Sequence, residues 1–355
     1  MVKEIDGTIL EGGGQILRSS IALSAVLQEP VVVKRIRAKR KNPGLRPQHL
    51  QGILALQKLT DADVKGGHVG SGEITFSPKS RKGGEIVVNI GTAGAISLIL
   101  QTLMLVTHFC SNLSLIRLSG GTNVAWSPPI DYLQHVLLPR LKQMGYSGKI
   151  EVERRGYYPK GGGSVQASLH PQNYLRAINL SRVETKSEIQ GVSHCGSLPQ
   201  HVAERQARAA VQTLKEAGYR CEKVAIEHNP HTLCPGSGIS LWTTGDACRL
   251  AGSDALGRPG LKAEVVGRKA AQTLIKELES GAPVDKHQAD MLVPYMALAQ
   301  GTSSVFISEL TQHTVTNVYV VEQFIETKFS VIGEVGKPAQ IKVEGVAFEG
   351  FPVSP

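Results

Sequence analysis

One histidine lies in a sequence context that suits nucleophilic chemistry. His313 stands in residues 309–317, ELTQHTVTN, which follow an apolar strand and open a helix. A neutral imidazole is a competent nucleophile near neutral pH, and the positive end of a helix stabilises a phosphate attached to it. A single histidine among the 11 in the chain is more often structural, so this segment alone leaves both interpretations open.

Two further segments have the composition of phosphate-binding loops. Residues 34–46 contain seven basic side chains, and the Pro43-Gly44 pair prevents them from forming one solvated helix face. Arginine makes bidentate contacts with phosphate, and lysine supplies a point charge. Residues 11–18, EGGGQILR, precede a helix, where free backbone N–H groups face an anion and Glu11 is suited to a divalent cation. The alternatives are a basic surface loop and an ordinary glycine turn.

Other catalytic signatures are missing from the sequence. It contains no HExxH, no GxSxG, no GxxxxGK[ST] and no GxGxxG between a strand and a helix. His228, His231 and Cys234 are close in sequence, but they lie in an Asn-Pro-rich segment without a clear fourth ligand, so zinc is a weak alternative. The cysteines have no CxxC spacing, which favours a reducing compartment over a disulfide framework. They are Cys110, Cys195, Cys221, Cys234 and Cys248.

The composition is that of a globular protein with a well-buried core. The chain has 355 residues, of which 41% are hydrophobic and 19% charged, and its net charge of +9 favours polyanionic partners. The longest apolar stretch, residues 95–106, is interrupted by Gln101 and is too short to cross a bilayer. The first residues lack the apolar segment of a signal peptide. We therefore expect no membrane association and a cytoplasmic location.

Hydrophobic periodicity predicts a repeated unit with the order α, β, α, β, β at an offset of roughly 80 residues. The predicted helices are residues 15–28, 48–60, 95–110, 130–144, 290–300 and 315–327. The predicted strands are residues 31–38, 73–76, 85–90, 113–118, 150–154, 164–169, 304–308, 330–334 and 341–345. The repeat aligns three strand-to-helix loops, residues 38–47, 120–129 and 310–314, which include the basic segment and His313.

The third copy begins late because a domain-sized segment precedes it. Residues 184–283 contain predicted helices at 202–217 and 263–279 and predicted strands at 223–228 and 239–243. We therefore expect an α+β fold of three repeated units, each with two helices on one face of a four-stranded sheet, and an inserted smaller α/β domain. Residues 1–183 and 284–355 would form the repeat-built scaffold, and residues 184–283 the insertion.

Five segments, taken together and in this order, are similar to one enzyme family over nearly the entire chain. They are EGGGQILRSS (11–20), IRAKRKNPGLRPQHL (36–50), RGYYPKGGG (155–163), MALAQG (296–301) and TQHTVTN (311–317). The chain resembles the RNA 3'-terminal phosphate cyclases, whose fold is also built of repeated units. The resemblance implies ATP-dependent conversion of an RNA 3'-phosphate to a 2',3'-cyclic phosphodiester through a histidine–AMP and an RNA-adenylate intermediate. RNA is required because DNA lacks the 2'-hydroxyl.

The resemblance also implies roles for individual residues. His313 matches the nucleophile, and Glu11 matches the acid that holds Mg²⁺ or Mn²⁺. The residues that match the ATP site are Glu11, Gln15, Arg18, Gln101, Pro128, Lys286, His287, Gln288, Ala289 and Asp290. Those that match the site of the RNA phosphate are Arg37, Arg40, Arg46 and Gln48. The chain departs from the family at His287, where a tyrosine commonly stacks on adenine, and at Met291, where glutamine is usual.

Two alternatives belong to other functional classes. Some relatives in this superfamily bind RNA and assist ribosome assembly without catalysis, but they lack the nucleophilic histidine. Retention of His313, Glu11 and Arg40 favours catalysis over this binding role. Enolpyruvyl transferases share the architecture alone. The sequence leaves the oligomeric state open, with a homodimer as one option, and it leaves the physiological RNA and the task of the insertion undetermined.

Overall fold

The computed structural model describes residues 2–183, 187–244 and 249–351. The described residues form a mixed α/β structure with four sheets of four strands, each sheet combining parallel and antiparallel pairs. The predicted α+β class is confirmed at this level. No helix in the described part of the chain has the length and apolarity needed to cross a membrane.

The first sheet is formed by residues 3–77 and has the strand order β1-β2-β4-β3. Its strands β1 and β2 are parallel, whereas β4 is antiparallel to both β2 and β3. The elements in chain order are β1 (Lys3–Asp6), α1 (Gly14–Leu27), β2 (Val31–Lys34), α2 (Pro47–Thr60), β3 (Asp63–Lys65) and β4 (Ile74–Ser77).

The second sheet has the same pairing pattern, with the order β5-β6-β8-β7 and a parallel β5–β6 pair. A π-helical turn at Leu133–Leu137 joins α4 and α5, which the sequence predicted as one regular helix. The elements are β5 (Gly84–Asn89), α3 (Ile96–Thr107), β6 (Ser114–Gly120), α4 (Ile130–Tyr132), α5 (Leu138–Gln143), β7 (Ser147–Arg154) and β8 (Gly163–His170).

The short strand β9 (Asn179–Leu180) belongs to a third sheet, but the chain first forms a fourth sheet of its own. That fourth sheet has the order β11-β10-β12-β13. It packs with α6 and α7 around a separate hydrophobic cluster. The elements are β10 (Glu188–Gly196), α6 (His201–Glu216), β11 (Cys221–Asn229), β12 (Gly236–Thr244), β13 (Gly252–Leu256) and α7 (Ala263–Glu279).

The remaining residues complete the third sheet, whose order is β15-β16-β14-β9 with a parallel β9–β14 pair. Its pairing pattern is therefore that of the first two sheets. The elements are α8 (Lys286–Leu298), β14 (Gln300–Ile307), α9 (Gln312–Phe324), β15 (Phe329–Ile332) and β16 (Ala339–Val346). Helices from all three parts contribute to one large apolar core. The division at residue 184 stays a prediction, because residues 184–186, like Cys248, lie outside the described residues.

Three predicted element boundaries are wrong for local reasons. The strand predicted at residues 31–38 ends at Lys34, because Arg35 and Arg37 have left-handed backbone conformations with φ of 53° and 51°. The helices predicted at 290–300 and 315–327 begin earlier, at Lys286 and Gln312. The side chains of Asp285 and Thr311 cap those helix starts by accepting hydrogen bonds from backbone N–H groups of the first turn. No bounds were predicted for strands β1, β3 and β9, which have four, three and two residues.

Candidate active site

Glu11 folds back over the start of α1, and glycines make this possible. Gly12 has a left-handed φ of 60°. A Cβ on Gly13 would lie 2.3 Å from both carboxylate oxygens of Glu11. The Glu11 side chain is only 15% exposed, and its buried Oε2 has no hydrogen-bond partner among the described residues. The glycine segment therefore positions a carboxylate instead of serving as a simple turn.

His313 is the second residue of α9, and it faces the start of α1. Thr311 caps α9 by accepting a hydrogen bond of 3.1 Å from the Thr314 N–H. The His313 Nδ1 atom lies 2.5 Å from Gln15 Oε1 and 3.9 Å from Glu11 Oε2. Its side chain is 55% exposed, so the ring remains accessible to a ligand. Thus residues about three hundred positions apart in the chain meet at two helix N-termini.

A chain of hydrogen bonds determines which ring nitrogen of His313 has the free lone pair. Gln15 Nε2 donates to Asp290 Oδ2 over 2.8 Å, which turns Gln15 Oε1 toward His313. An amide oxygen can only accept, so His313 Nδ1 must carry the proton. The Nε2 atom of His313 is then the unprotonated nitrogen, which is the nucleophilic form of the ring.

Partial burial and nearby positive charge keep His313 neutral. Partial burial lowers the pKa of His313, and three neighbouring basic side chains lower it further. Burial raises the pKa of the Asp290 carboxyl to about 7, although the nearby Arg18 opposes this change. Near neutral pH the imidazole is therefore unprotonated at Nε2, and Asp290 lies close to its own titration midpoint.

Asp290→Asn is expected to stabilise the fold increasingly as pH rises. A carboxyl whose folded pKa is raised to about 7 contributes stability below its unfolded pKa and loses it as pH increases through 7. The wild type should therefore lose on the order of 4 kcal/mol, relative to the variant, between about pH 4 and about pH 8. Urea midpoints at both pH values test this. Asp63→Asn, at an exposed carboxylate, is the control, and a difference that does not vary with pH contradicts the prediction.

The structure separates the roles of two arginines in the basic segment. The Arg40 guanidinium reaches the site, where its Nη2 pairs with Glu11 Oε1 and lies 3.3 Å from the Glu11 carbonyl oxygen. Arg37 Nη1 donates instead to the carbonyl oxygens of Asn42 (2.6 Å) and Gly44 (3.1 Å). Burial, with repulsion from Arg46, lowers the pKa of Arg37. Arg40 is thus directed at the site, and Arg37 organises the basic segment itself.

A buried histidine that the sequence analysis missed lies beneath these arginines. His49 is the third residue of α2, and its Nδ1 accepts the Arg46 N–H over 3.2 Å. Burial, with repulsion from nearby arginines, lowers the pKa of His49 to about 3, so the ring is neutral. A Cβ on Gly14 would lie 2.5 Å from His49 Nε2. His49 therefore joins α1 to α2, and the Pro47 helix start was the only sequence signal near it.

The remaining polar residues connect the helices or line the adjacent cleft. Gln48 Oε1 accepts a hydrogen bond from the Ala95 N–H over 3.0 Å, which ties α2 to the start of α3.

Gln101 is the one residue of α3 that is not buried. It faces a cleft whose lining also includes Gln15, Arg18, Met291 and Asn317. Asn317, which sequence reasoning missed, donates to the Asp290 carbonyl oxygen over 2.6 Å. The Pro128 carbonyl oxygen accepts a hydrogen bond from the Ser97 hydroxyl over 2.6 Å.

The predicted segment 286–290 is divided between the cleft and the core. His287 is exposed, and Asp290 reaches Gln15. The buried Gln288 accepts from Arg140 Nε over 3.0 Å, and Ala289 is also buried. Lys286 Nζ lies 3.7 Å from Glu277. The structure thus brings His287 and Asp290 to the site, while the side chains of Gln288 and Ala289 have other surroundings.

The described residues contain no group of three or more metal-ligating side chains. At the weak zinc alternative, His228 bonds to the Leu198 carbonyl oxygen (2.9 Å) and the Cys234 thiol to the Tyr157 carbonyl oxygen (3.0 Å). Glu11 fits a divalent cation better, because its buried Oε2 has no hydrogen-bond partner among the residues described and carboxylate oxygen suits Mg²⁺. One carboxylate is enough when phosphate oxygens and waters supply the other ligands.

Comparison with known proteins identifies relatives over almost the whole chain. The family model for RNA 3'-terminal phosphate cyclase matches residues 9–331. The RNA 3'-terminal phosphate cyclase of Pyrococcus abyssi is 48% identical over 96% of this chain and 98% of its own length. That of Pyrobaculum aerophilum is 48% identical over 98% of this chain and 99% of its own.

A solved structure, an EPSP synthase from Acinetobacter baumannii, aligns with 93% of this chain and 62% of its own. Its sequence identity of 13% and TM-score of 0.29 are too low to support a statement about fold or function. The cyclase relatives share nearly half of their residues with this chain over its full extent. The chain belongs to the RNA 3'-terminal phosphate cyclase family.

Proposed function

We propose that the protein is an ATP-dependent RNA 3'-terminal phosphate cyclase that acts through a histidine–AMP intermediate. The observation that carries this proposal is the Asp290–Gln15–His313 hydrogen-bond chain, which leaves Nε2 of His313 unprotonated beside Glu11 and Arg40. Family membership supports the overall reaction, since the relatives are named as cyclases of RNA 3'-phosphate ends.

Three transfers make up the proposed reaction. Nε2 of His313 attacks the α-phosphorus of ATP, forming a P–N bond while the bond to pyrophosphate breaks. An oxygen of the RNA 3'-phosphate then attacks the same phosphorus, and the P–N bond electrons return to the imidazole. The terminal 2'-oxygen finally attacks the 3'-phosphorus, closing the ring as AMP leaves and the hydroxyl proton is released. The second transfer gives the 3'-phosphate a good leaving group, AMP, which the unmodified phosphate monoester lacks, so that the ring can close in the third.

Fixed positive charge accounts for most of the proposed catalysis. Negative charge accumulates on the phosphate oxygens in every transfer, so alignment and preorganised cations dominate the barrier. Arg40 reaches Glu11, and Arg18 lies near Asp290. Burial lowers the pKa of Arg18 to about 10, which still leaves it charged at neutral pH. Glu11 would hold a Mg²⁺ or Mn²⁺ ion, which neutralises charge on the triphosphate when bound.

The nucleotide base is proposed to bind in the cleft beside α3 and α8. Gln101 lines this cleft, and Asp290 bonds to Gln15, which lines it as well. The exposed His287 lies at the start of α8, and Pro128 is on the loop before α4. Met291 lines this cleft where the family commonly has glutamine. An apolar methionine makes no hydrogen bond to a base edge, so recognition of adenine would rest more heavily on Gln101 and Asp290.

Several broader features are part of the same proposal. Residues 1–183 and 284–355 form the repeat-built scaffold, in which two helices cover one face of each sheet, and residues 184–283 form the inserted domain. Arg37, Arg46 and Gln48 complete the site for the RNA phosphate.

The proposed location of the protein is the cytoplasm. Its oligomeric state is open between a monomer and a homodimer, and analytical sedimentation would distinguish the two.

An RNA whose 3'-phosphate is radiolabelled tests the function. With ATP and Mg²⁺ the end should become resistant to phosphatase, as a cyclic phosphodiester is. A matched RNA whose terminal nucleotide is 2'-deoxy should instead accumulate the adenylated end, because the closing oxygen is missing. RNA binding without either product would identify a non-catalytic relative, and phosphate release from phosphoenolpyruvate would identify an enolpyruvyl transferase.

Arg40→Ala is expected to weaken engagement of the phosphate groups without unfolding the protein, because the Arg40 side chain is exposed. Affinity for RNA should fall about tenfold, and the slope of log affinity against log salt should decrease by about 0.7, which corresponds to one phosphate contact. Filter binding at several salt concentrations measures both quantities.

Lys41→Ala is the matched control for Arg40→Ala, since Lys41 is an exposed cation of the same segment. It should change the salt slope less than Arg40→Ala does. An Arg40→Ala variant that unfolds while its labelling by ATP per folded molecule stays normal would show that Arg40 is structural.

A further inference from the structure

Two aromatic side chains project into solvent from neighbouring loops. Trp126 is 100% exposed and Tyr158 is 77% exposed. Trp126 lies in residues 120–129, here called the tryptophan loop, and has a left-handed φ of 68°. Tyr158 lies in residues 155–163, here called the tyrosine loop, which is the RGYYPKGGG segment. A single exposed ring is ordinary on a protein surface, whereas exposed rings on adjoining loops can mark a binding surface.

The two loops meet in front of α3. The Gly121 N–H of the tryptophan loop donates to the Gly94 carbonyl oxygen over 2.9 Å. The adjacent Ala93 N–H donates to the Pro159 carbonyl oxygen of the tyrosine loop over 3.2 Å. Residues 91–95 therefore bridge the two loops that carry the exposed rings.

The segment that bridges the two loops also contacts α2, which carries residues of the cationic site. The Ala95 N–H, at the end of the bridging segment, bonds to Gln48 Oε1. Gln48 and Leu98 line a cavity with His49 and Arg18, which belong to the site around His313. Lys160, next to the exposed tyrosine, is itself exposed and forms no ion pair with the described residues. A polyanion bound at the arginines would therefore have the rings of Trp126 and Tyr158 and the positive charge of Lys160 nearby.

Contacts from the fourth sheet hold the tyrosine loop in place. The Cys234 thiol donates to the Tyr157 carbonyl oxygen over 3.0 Å, and the Tyr157 hydroxyl lies 2.9 Å from His194 Nδ1. Leu233 packs so closely on Gly162 that a Cβ there would lie 2.5 Å from it. The exposed ring is therefore presented by a supported loop, which reduces the entropy lost on binding.

We propose that Trp126 and Tyr158, together with Lys160, form a stacking surface for the unpaired nucleotides on the 5' side of the RNA terminal phosphate. This inference rests on the proposed function, because it places RNA at the adjacent site. Stacking on aromatic rings is tolerant of sequence, since every base has a π face. The surface would therefore recognise single-stranded RNA ends in general, and the contacts from the fourth sheet would give the inserted segment a task.

Intrinsic fluorescence gives a direct readout, because Trp126 and Trp242 are the only tryptophans in the chain. Trp242 is buried and stacked on His135 with 4.0 Å between ring centroids. Titration with a 3'-phosphorylated single-stranded oligonucleotide should quench the exposed Trp126. The quenching should disappear in Trp126→Ala and persist in Trp242→Phe. Quenching that survives in Trp126→Ala overturns the proposal.

Kinetics with RNAs of different length separate stacking from chemistry. Each of Trp126→Ala and Tyr158→Ala should raise the KM for a longer oligonucleotide roughly tenfold. Neither should change the KM for a 3'-phosphorylated mononucleoside or the rate of labelling by ATP alone. Trp126→Phe should restore most of the affinity. Tyr174→Ala, at an exposed tyrosine elsewhere, is the matched control and should have no effect.

Abasic RNA tests the same contact without altering the protein. Removing the bases upstream of the terminal nucleotide should weaken binding to the wild type and add little to the loss in the Trp126→Ala/Tyr158→Ala double variant. The proposal is overturned if the loss of affinity from removing the bases and the loss from the double variant add in full. An altered KM for ATP in Trp126→Ala also overturns it. Failure of the proposed cyclase function would give a different result from failure of the stacking surface. The wild type would then not cyclise any 3'-phosphorylated RNA, whether or not the oligonucleotide quenches Trp126.

Discussion

Replacement of His313 by alanine is expected to lower cyclisation of 3'-phosphorylated RNA by about four orders of magnitude or more. The methyl side chain has no lone pair to attack the α-phosphorus, and no other histidine among the described residues contacts Gln15 and Glu11. The variant should also lose the covalent label from α-labelled ATP. The exposed position of the ring means that the fold should be unaffected.

A second substrate distinguishes a nucleophile from a positioning residue. Ring closure of an RNA that already carries the adenylate does not use the imidazole, so His313→Ala should still convert it. His68→Ala, at an exposed loop histidine, is the matched control and should retain all activity. A label that survives in His313→Ala, or one that is stable to acid as a phosphoramidate is not, would remove His313 from the mechanism.

Glu11→Gln is expected to have the next largest effect, a loss of roughly a hundred- to a thousandfold in labelling by ATP at low Mg²⁺. Glutamine has the same shape and can still accept from Arg40, but it lacks the charge that attracts a cation. The buried Oε2 has no hydrogen-bond partner in the described part of the chain, so the substitution breaks no bond there.

The dependence on metal concentration identifies the cause of that loss. Raising Mg²⁺ or Mn²⁺ should recover part of the activity of Glu11→Gln, because the concentration for half-maximal labelling moves upward. Glu4→Gln, at an exposed carboxylate paired with Lys34, should leave the titration unchanged. An unaltered metal titration in Glu11→Gln would mean that Glu11 acts only as a partner of Arg40.

Local sequence patterns predicted the elements that hold the site. The apolar periodicity of residues 15–28 predicted α1 with bounds one residue away from the observed Gly14–Leu27 at each end. The glycines before the helix marked the loop that positions Glu11. The hydroxyl-rich segment around His313 likewise indicated the start of a helix, although the predicted helix began three residues after the observed start at Gln312. Such features depend on residues a few positions apart, so they can be read from the chain alone.

The roles of other side chains could not be read from the local sequence, because tertiary contacts decide them. Seven basic residues in one segment look equivalent, but left-handed backbone at Arg35 and Arg37 turns the chain so that Arg40 reaches Glu11. Gln288 and Asp290 lie two residues apart on α8, and their opposite orientations place one in the core and the other at the site. His49 gave no signal, since burial alone distinguishes it from a surface histidine.

The sequence by itself predicted the helices and most strands, a repeated unit, an inserted segment and His313 as the candidate nucleophile. The tertiary structure alone decided which nitrogen of that side chain is free. Gln15 lies 275 residues from Asp290 and 298 from His313, and the bonds among them form only when α1, α8 and α9 pack together. Helix propensity and capping act within a few residues, whereas a tautomer depends on whatever polar atom the fold brings to the ring.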